Sequence, residues 1–142
     1  SVYQTEAPEF ELGKAIVTVD GADATIIACG VIVSEAVKAA RRLSQDGIGV
    51  RVLDMHTIKP LDEQAIINAA RETGRIVTVE DHYTIGGLGG AVAEVLAESG
   101  IPCKFKRLGI PQKYAGFGSP ESLYRKYGYD VEGIVNAVRS MN

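Results

Sequence analysis

Two short polar stretches close apolar runs in this chain, Asp54-Met55-His56 and Glu80-Asp81-His82. Together they hold both histidines of the sequence and three carboxylates. Imidazoles and carboxylates gathered within a few ångströms can bind a divalent metal or move a proton. That chemistry requires the two runs to be neighbouring strands, about 4.8 Å apart, with side chains turned to the same side. Strand ends also carry polar residues that only cap helices or pair with cations. With no third well-spaced ligand in the sequence, this plainer use is expected, and His56 and His82 are not expected to share a metal.

The second stretch leads into Gly86, Gly87, Gly89 and Gly90. Glycines between a strand and a helix permit close backbone approach. Free amides at a helix N-terminus can bind an anion. The spacing is not the dinucleotide fingerprint, and the lysine-bearing phosphate loop is missing. Tight packing of the helix on a sheet is the expected use, with anion binding as the alternative. Glu80, Asp81, His82, Gly86, Gly87 and Gly89 are therefore the candidate interface or anion site. No serine stands in a nucleophile elbow, and neither Cys29 nor Cys103 has the electropositive setting of a reactive thiol. Tyr114, Tyr124, Tyr127 and Tyr129 cluster near the C-terminus, where amphipathic rings serve packing or an interface.

These residues need a scaffold. Residues 1–12 are unpatterned and read as a linker or arm; residues 13–142 read as one domain. Lys14 to Val19 suggests a strand, and Asp20-Gly21-Ala22-Asp23 a turn. Ala24 to Cys29 is an unbroken apolar run, the pattern of a strand buried on both faces. The short turn predicts a hairpin between these two strands, with the first antiparallel to the second. A loop over Gly30 to Val33 precedes a helix capped by Ser34, with Ala36, Val37, Ala40 and Leu43 on its apolar stripe. Val50 to Met55 is the next strand. A helix starting near Pro60 or Asp62 turns Leu61, Ala65, Ile66, Ala69 and Ala70 to the sheet and stops at Gly74. Arg75 to Val79 is a strand that ends at the polar corner. The glycine-led helix ends at Ser99-Gly100. Pro102 to Leu108 alternates like an edge strand. A long loop, Gly109 to Ser119, leads to a short helix over Pro120 to Tyr127 and a last helix capped by Asp130. Alternating strands and helices predict a three-layer α/β/α sandwich. Its five-stranded sheet should be mostly parallel, with the first strand antiparallel.

Composition narrows the class. A chain of 142 residues, 46% hydrophobic, can build one sizeable core. A net charge of −3 gives no basic footprint for nucleic acid. No apolar run approaches the roughly 20 residues that span a bilayer, so no membrane partner is expected. A polar, acidic N-terminus is unlike a signal peptide. Two cysteines far apart in sequence are expected as buried, reduced thiols in a cytoplasmic protein. The initial serine fits a piece of something longer.

The stretch Val79-Glu80-Asp81-His82-Tyr83 followed by Gly86-Gly87-Leu88-Gly89 resembles the C-terminal domain of transketolases. Thr57-Ile58-Lys59-Pro60-Leu61-Asp62 resembles the wider family of thiamine-diphosphate enzymes that share this domain. The likeness runs from about Gly13 to the end. Gly109-Ile110-Pro111 and Gly118-Ser119-Pro120-Glu121 are similar to separate C-terminal transketolase subunits of prokaryotes, although Gln112 stands where those often have an acid. Deoxyxylulose-phosphate synthase and the 2-oxoacid dehydrogenase β subunit carry related domains; His82-Tyr83 favours transketolase. The resemblance implies the last third of an enzyme that transfers a two-carbon ketol unit between sugar phosphates. It implies an assembly role in a homodimeric parent, alongside other transketolase domains or a second subunit. Thiamine diphosphate and Mg²⁺ would be held by the parent, none directly by this chain, since the diphosphate motif and the catalytic glutamate region are missing. A free-standing anion-binding or protein-interaction domain is the alternative of another class.

Overall fold

Ala24 to Ala28 forms β2, and every residue of it is buried. A strand apolar on both faces belongs in the middle of a sheet with helices on either side, and β2 is the middle strand of five. The computed structural model describes residues 2–3 and 8–141. In it β1 is Ile16–Val19, β3 Val50–Asp54, β4 Arg75–Tyr83 and β5 Lys104–Ile110, in the order β1-β3-β2-β4-β5. Strands β3 and β4 flank β2 in parallel, β5 is parallel to β4, and β1 is antiparallel to β3. Part of the expected arm, residues 1 and 4–7, lies outside the described residues.

The expected pairing of the first two strands is corrected here. β1 pairs with β3, not with β2. The connecting turn passes over the start of β3: Asp23 N donates to Gly49 O at 2.8 Å, and Gly49 N donates to Asp23 Oδ2 at 2.6 Å. The wholly apolar β2 takes a parallel neighbour on each side. β1, with Val17 exposed, is left to the edge.

Strand alternation splits the core into two layers. Ile26, Ala28, Val52, Val77 and Val79 face α1 (Val33–Gln45) and α5 (Val131–Arg139). Ile27, Leu53 and Ile76 face α2 (Glu63–Thr73) and α3 (Leu88–Ser99). The sandwich is therefore three-layered, as the pattern predicts. Among the described residues no helix is long and apolar enough to cross a membrane.

Most helix ends follow local chemistry. Asp130 caps α5 through Gly133 N, and Ser119 caps α4 (Pro120–Tyr127) through Ser122 N. α1 differs from expectation. A 3₁₀ turn over Gly30–Ile32 runs straight into it, so Ser34 sits inside the first turn and donates to Val31 O at 3.0 Å. A helix entered from backbone that is already helical needs no side-chain cap at that point.

Asp62 does more than cap. Its Oδ1 accepts from Ala65 N at 3.1 Å and its Oδ2 from Ala15 N at 2.9 Å, tying α2 to the approach to β1. Asp62→Ala should lower the unfolding free energy by about 2 kcal/mol. Asp62→Asn, which can keep the cap, should lose about half of that. Equal denaturation midpoints for Asp62→Ala and the unaltered chain would show the tie to be idle.

Candidate functional site

The strand carrying the candidate residues is longer than expected. β4 runs through the polar corner to Tyr83, with a register shift between Val79 and Tyr83. β5 follows it to Ile110, and Thr84 N donates to Ile110 O at 2.9 Å. Gly109 makes this extension possible. A Cβ there would stand 2.7 Å from His82 O.

Glu80 is 2% exposed. Its two carboxylate oxygens accept from Leu88 N at 2.8 Å and Gly89 N at 2.9 Å, the first amides of α3. This is anion binding at a helix N-terminus with the anion built into the chain. An external anion at these amides would have to displace Glu80. Gly87 leaves room for the carboxylate, since a Cβ there would lie 1.9 Å from Glu80 Oε2. Gly89 brings α3 onto the sheet; its Cβ would meet Thr78 Oγ1 at 2.8 Å and Arg107 Cγ at 2.9 Å. Gly86, at a φ of +81°, supplies the left-handed turn between strand and helix.

Asp81 points elsewhere. Its carboxylate accepts from the hydroxyls of Tyr124 at 3.0 Å and Tyr129 at 3.1 Å. Burial, and then the adjoining carboxylate, push the Tyr124 hydroxyl up to about 12. Burial and the same charge raise Tyr129 as well. Both hydroxyls therefore stay protonated donors at neutral pH. His82 is exposed, its ring edge-on to Tyr83 with centroids 5.9 Å apart.

The two polar stretches are not neighbours, because β2 separates β3 from β4. His56 packs its ring on Phe10 at 4.9 Å. Asp54 accepts from the Tyr3 hydroxyl at 2.7 Å. Among the described residues no three His, Cys, Asp or Glu side chains are grouped so as to hold a metal ion. Cys29 and Cys103 are free and half-buried, and they flank strands instead of lying within them. Burial, then the Glu80 and Asp54 carboxylates, push the Cys29 thiol up to about 11, which keeps it a poor nucleophile at neutral pH.

Sequence reasoning missed two features. The partners of Asp81 lie 43 and 48 residues away, and no local pattern signals them. The other is an exposed apolar group. Tyr83 and Ile85 follow the polar corner, and the loop over residues 111–119 carries Tyr114 and Phe117 fully exposed at its tip. Tyr83, Gln112, Lys113 and Tyr114 line a shallow notch of about 260 Å³ between the two segments. The unusual length of that loop and the place of Tyr114 in the C-terminal tyrosine cluster were its legible signs.

Comparison with known proteins agrees with this architecture. The family model described as "Transketolase, C-terminal domain" matches residues 13–134. A subunit of the apulose-4-phosphate transketolase of Phocaeicola vulgatus is 47% identical over 133 residues, covering 94% of this chain and 42% of its own length. Transketolase of Rattus norvegicus is 44% identical, covering 99% of this chain and 23% of its own. 1-Deoxy-D-xylulose-5-phosphate synthase of Syntrophotalea carbinolica is 43% identical, covering 91% and 20%. A solved split-gene transketolase, described as an inactive β4 tetramer, superposes with a TM-score of 0.90 at 39% identity, covering 99% of this chain and 45% of that one. The chain thus spans less than half the length of each of these relatives. With the sheet order, the glycine-led helix and the family match over residues 13–134 in agreement, the chain belongs to the transketolase C-terminal domain family.

Proposed function

We propose that this chain is the C-terminal part of a transketolase, in which it serves assembly and leaves cofactor binding to the rest of the enzyme. The parent would transfer a two-carbon ketol unit between sugar phosphates, in the cytoplasm, as a homodimer or with a separate partner subunit. The observation that carries this reading is the match to relatives that are themselves single subunits, such as that of the apulose-4-phosphate transketolase, of which this chain spans 42%. Thiamine diphosphate and Mg²⁺ would then belong to the remainder. The contacts within the chain support the same division, because Glu80 already takes the Leu88 and Gly89 amides of α3.

The face we assign to assembly comprises Glu80, Asp81, His82, Gly86, Gly87 and Gly89 with the loop that packs beside them. Glu80, Gly87 and Gly89 build it from within. Asp81 and His82 stand at its surface beside Tyr83, and Gly86 turns the chain. A two-fold pairing would use the same patch on both copies. Stable interfaces bury about 1,200–2,000 Å² in total, more than one small patch supplies. Alone, the chain should therefore associate weakly or not at all, bind no thiamine diphosphate and transfer no ketol unit. Calorimetry with Mg²⁺ and thiamine diphosphate, together with sedimentation over a concentration series, tests this. Tight Mg²⁺-dependent cofactor binding would overturn the division of labour. A tight dimer that leaves residues 80–90 open to solvent would overturn the choice of face.

A further inference from the structure

The exposed apolar group is assembled from two segments distant in sequence. Tyr83 and Ile85 belong to β4 and the turn after it. Tyr114 and Phe117 belong to the loop that α4 carries. This loop rides on α4: Gly116 N donates to the Tyr127 hydroxyl at 3.1 Å, and the Lys113 ammonium stands 5.3 Å over the Tyr127 ring. Where α4 sits therefore decides where the two tip aromatics stand.

α4 itself is weakly embedded. It buries no residue fully. Leu123, Tyr124 and Tyr127 are its half-buried side chains. Tyr129, just past the Gly128 stop, is fully buried, and its ring lies 4.9 Å from that of Tyr124. The hydroxyls of both tyrosines converge on one carboxylate. Tyr124 donates to Asp81 Oδ2 and Tyr129 to Asp81 Oδ1. Hydrogen bonds to an ionised acceptor are the strong ones. Asp81 lies on β4 two residues before Tyr83, so it joins the two halves of the surface at their root.

We infer that Asp81 is a clamp that fixes α4 and its aromatic loop against the end of β4, and that this one carboxylate sets the shape of the exposed face. The link to assembly rests on the reading proposed above; the clamp itself does not. The carboxylate is matched to its task because each oxygen serves one hydroxyl. An asparagine offers a single acceptor oxygen, since its NH₂ group can only donate. The hydroxyl facing that NH₂ would have to turn and accept, and both bonds would lose the charge that strengthens them, so Asp81→Asn should weaken the clamp and Asp81→Ala remove it.

Amide hydrogen exchange on the 142-residue chain tests the clamp. In Asp81→Ala, amides 121–127 should exchange about tenfold faster, while those of α2 stay as they were. Asp81→Asn should fall between. The double variant Tyr124→Phe with Tyr129→Phe keeps both rings and removes both hydroxyls. It should reproduce Asp81→Ala, and adding Asp81→Ala to it should change nothing more. Unchanged exchange in α4, or equal acceleration in α2, would overturn the clamp. Sedimentation of the same variants separates it from the assembly reading. If the unaltered chain self-associates and α4 loosens without changing that association, the clamp stands and the assignment of this face fails. If association falls while α4 stays protected, the clamp is overturned.

Discussion

Gly87→Ala should destabilise the chain by about 3 kcal/mol or more. Backbone strain is not the cause. Gly87 has a φ of −114°, which any residue can adopt. The cost comes from contact. The new Cβ would stand 1.9 Å from Glu80 Oε2 and 2.9 Å from Cδ, so the carboxylate must leave. Leu88 N and Gly89 N then lose their acceptor, and a charged group 2% exposed loses both of its bonds. Hydrogen bonds to a charged group contribute about 1.5–3 kcal/mol each, and leaving the partners buried and unpaired adds to that. Gly90→Ala is the internal control. No atom lies within 4 Å of its added Cβ, and it sits inside α3. Alanine is the better helix former by up to about 1 kcal/mol, so this variant should be neutral or slightly more stable. Denaturant unfolding of the two variants measures the contrast. Equal midpoints would mean that Glu80 does not hold the helix end.

Gly133→Ala should cost about 3 kcal/mol by a different route. Gly133 lies in the first turn of α5, and its Cβ would meet Gly128 O at 2.1 Å and Gly128 C at 2.5 Å. Both are backbone atoms. Gly128 is itself held in the left-handed region, at a φ of 73°, as the stop of α4. Neither side can give by rotating a side chain, so α5 must move away from the turn before it. That movement loosens Ile134, Val135 and Val138 in the core and the fully buried Tyr129 between the two helices. Overpacking of this kind costs about 1–3 kcal/mol, occasionally more. Because Tyr129 reaches Asp81, the same variant should also weaken the protection of α4. Gly116→Ala gives the comparison. Its nearest neighbour is the flexible end of Lys126 at 3.1 Å, so the change should stay within about 0.5 kcal/mol. A Gly133→Ala chain as stable as the Gly116→Ala chain would show that α5 has room to shift.

Capping is a local matter, and it was legible in part: Asp130 was expected as a cap, Asp62 only as a possible helix start and Ser119 only as the end of a loop. Asp62, Ser119 and Asp130 each bond an amide three residues on, and the apolar stripes of α1 and α2 repeat at helical spacing. The unbroken apolar run of β2 likewise announces a strand covered on both faces. Ser34 was the local signal that failed, because the preceding 3₁₀ turn had already started the helix.

The amino-acid sequence by itself determined the set of elements, the three-layer arrangement and the stretch from Glu80 to Gly90, since each depends on residues within a few positions of one another. Which strand pairs with β1, how far β4 continues and what each carboxylate touches were decided only in the tertiary structure. Glu80 and Asp81 are adjacent in the chain, and nothing in their order distinguishes them. Strand alternation sends Glu80 inward to the amides of α3, eight and nine residues on, and Asp81 outward to tyrosines more than forty residues away. Contacts across such distances depend on how the layers close around the sheet, which no local pattern encodes.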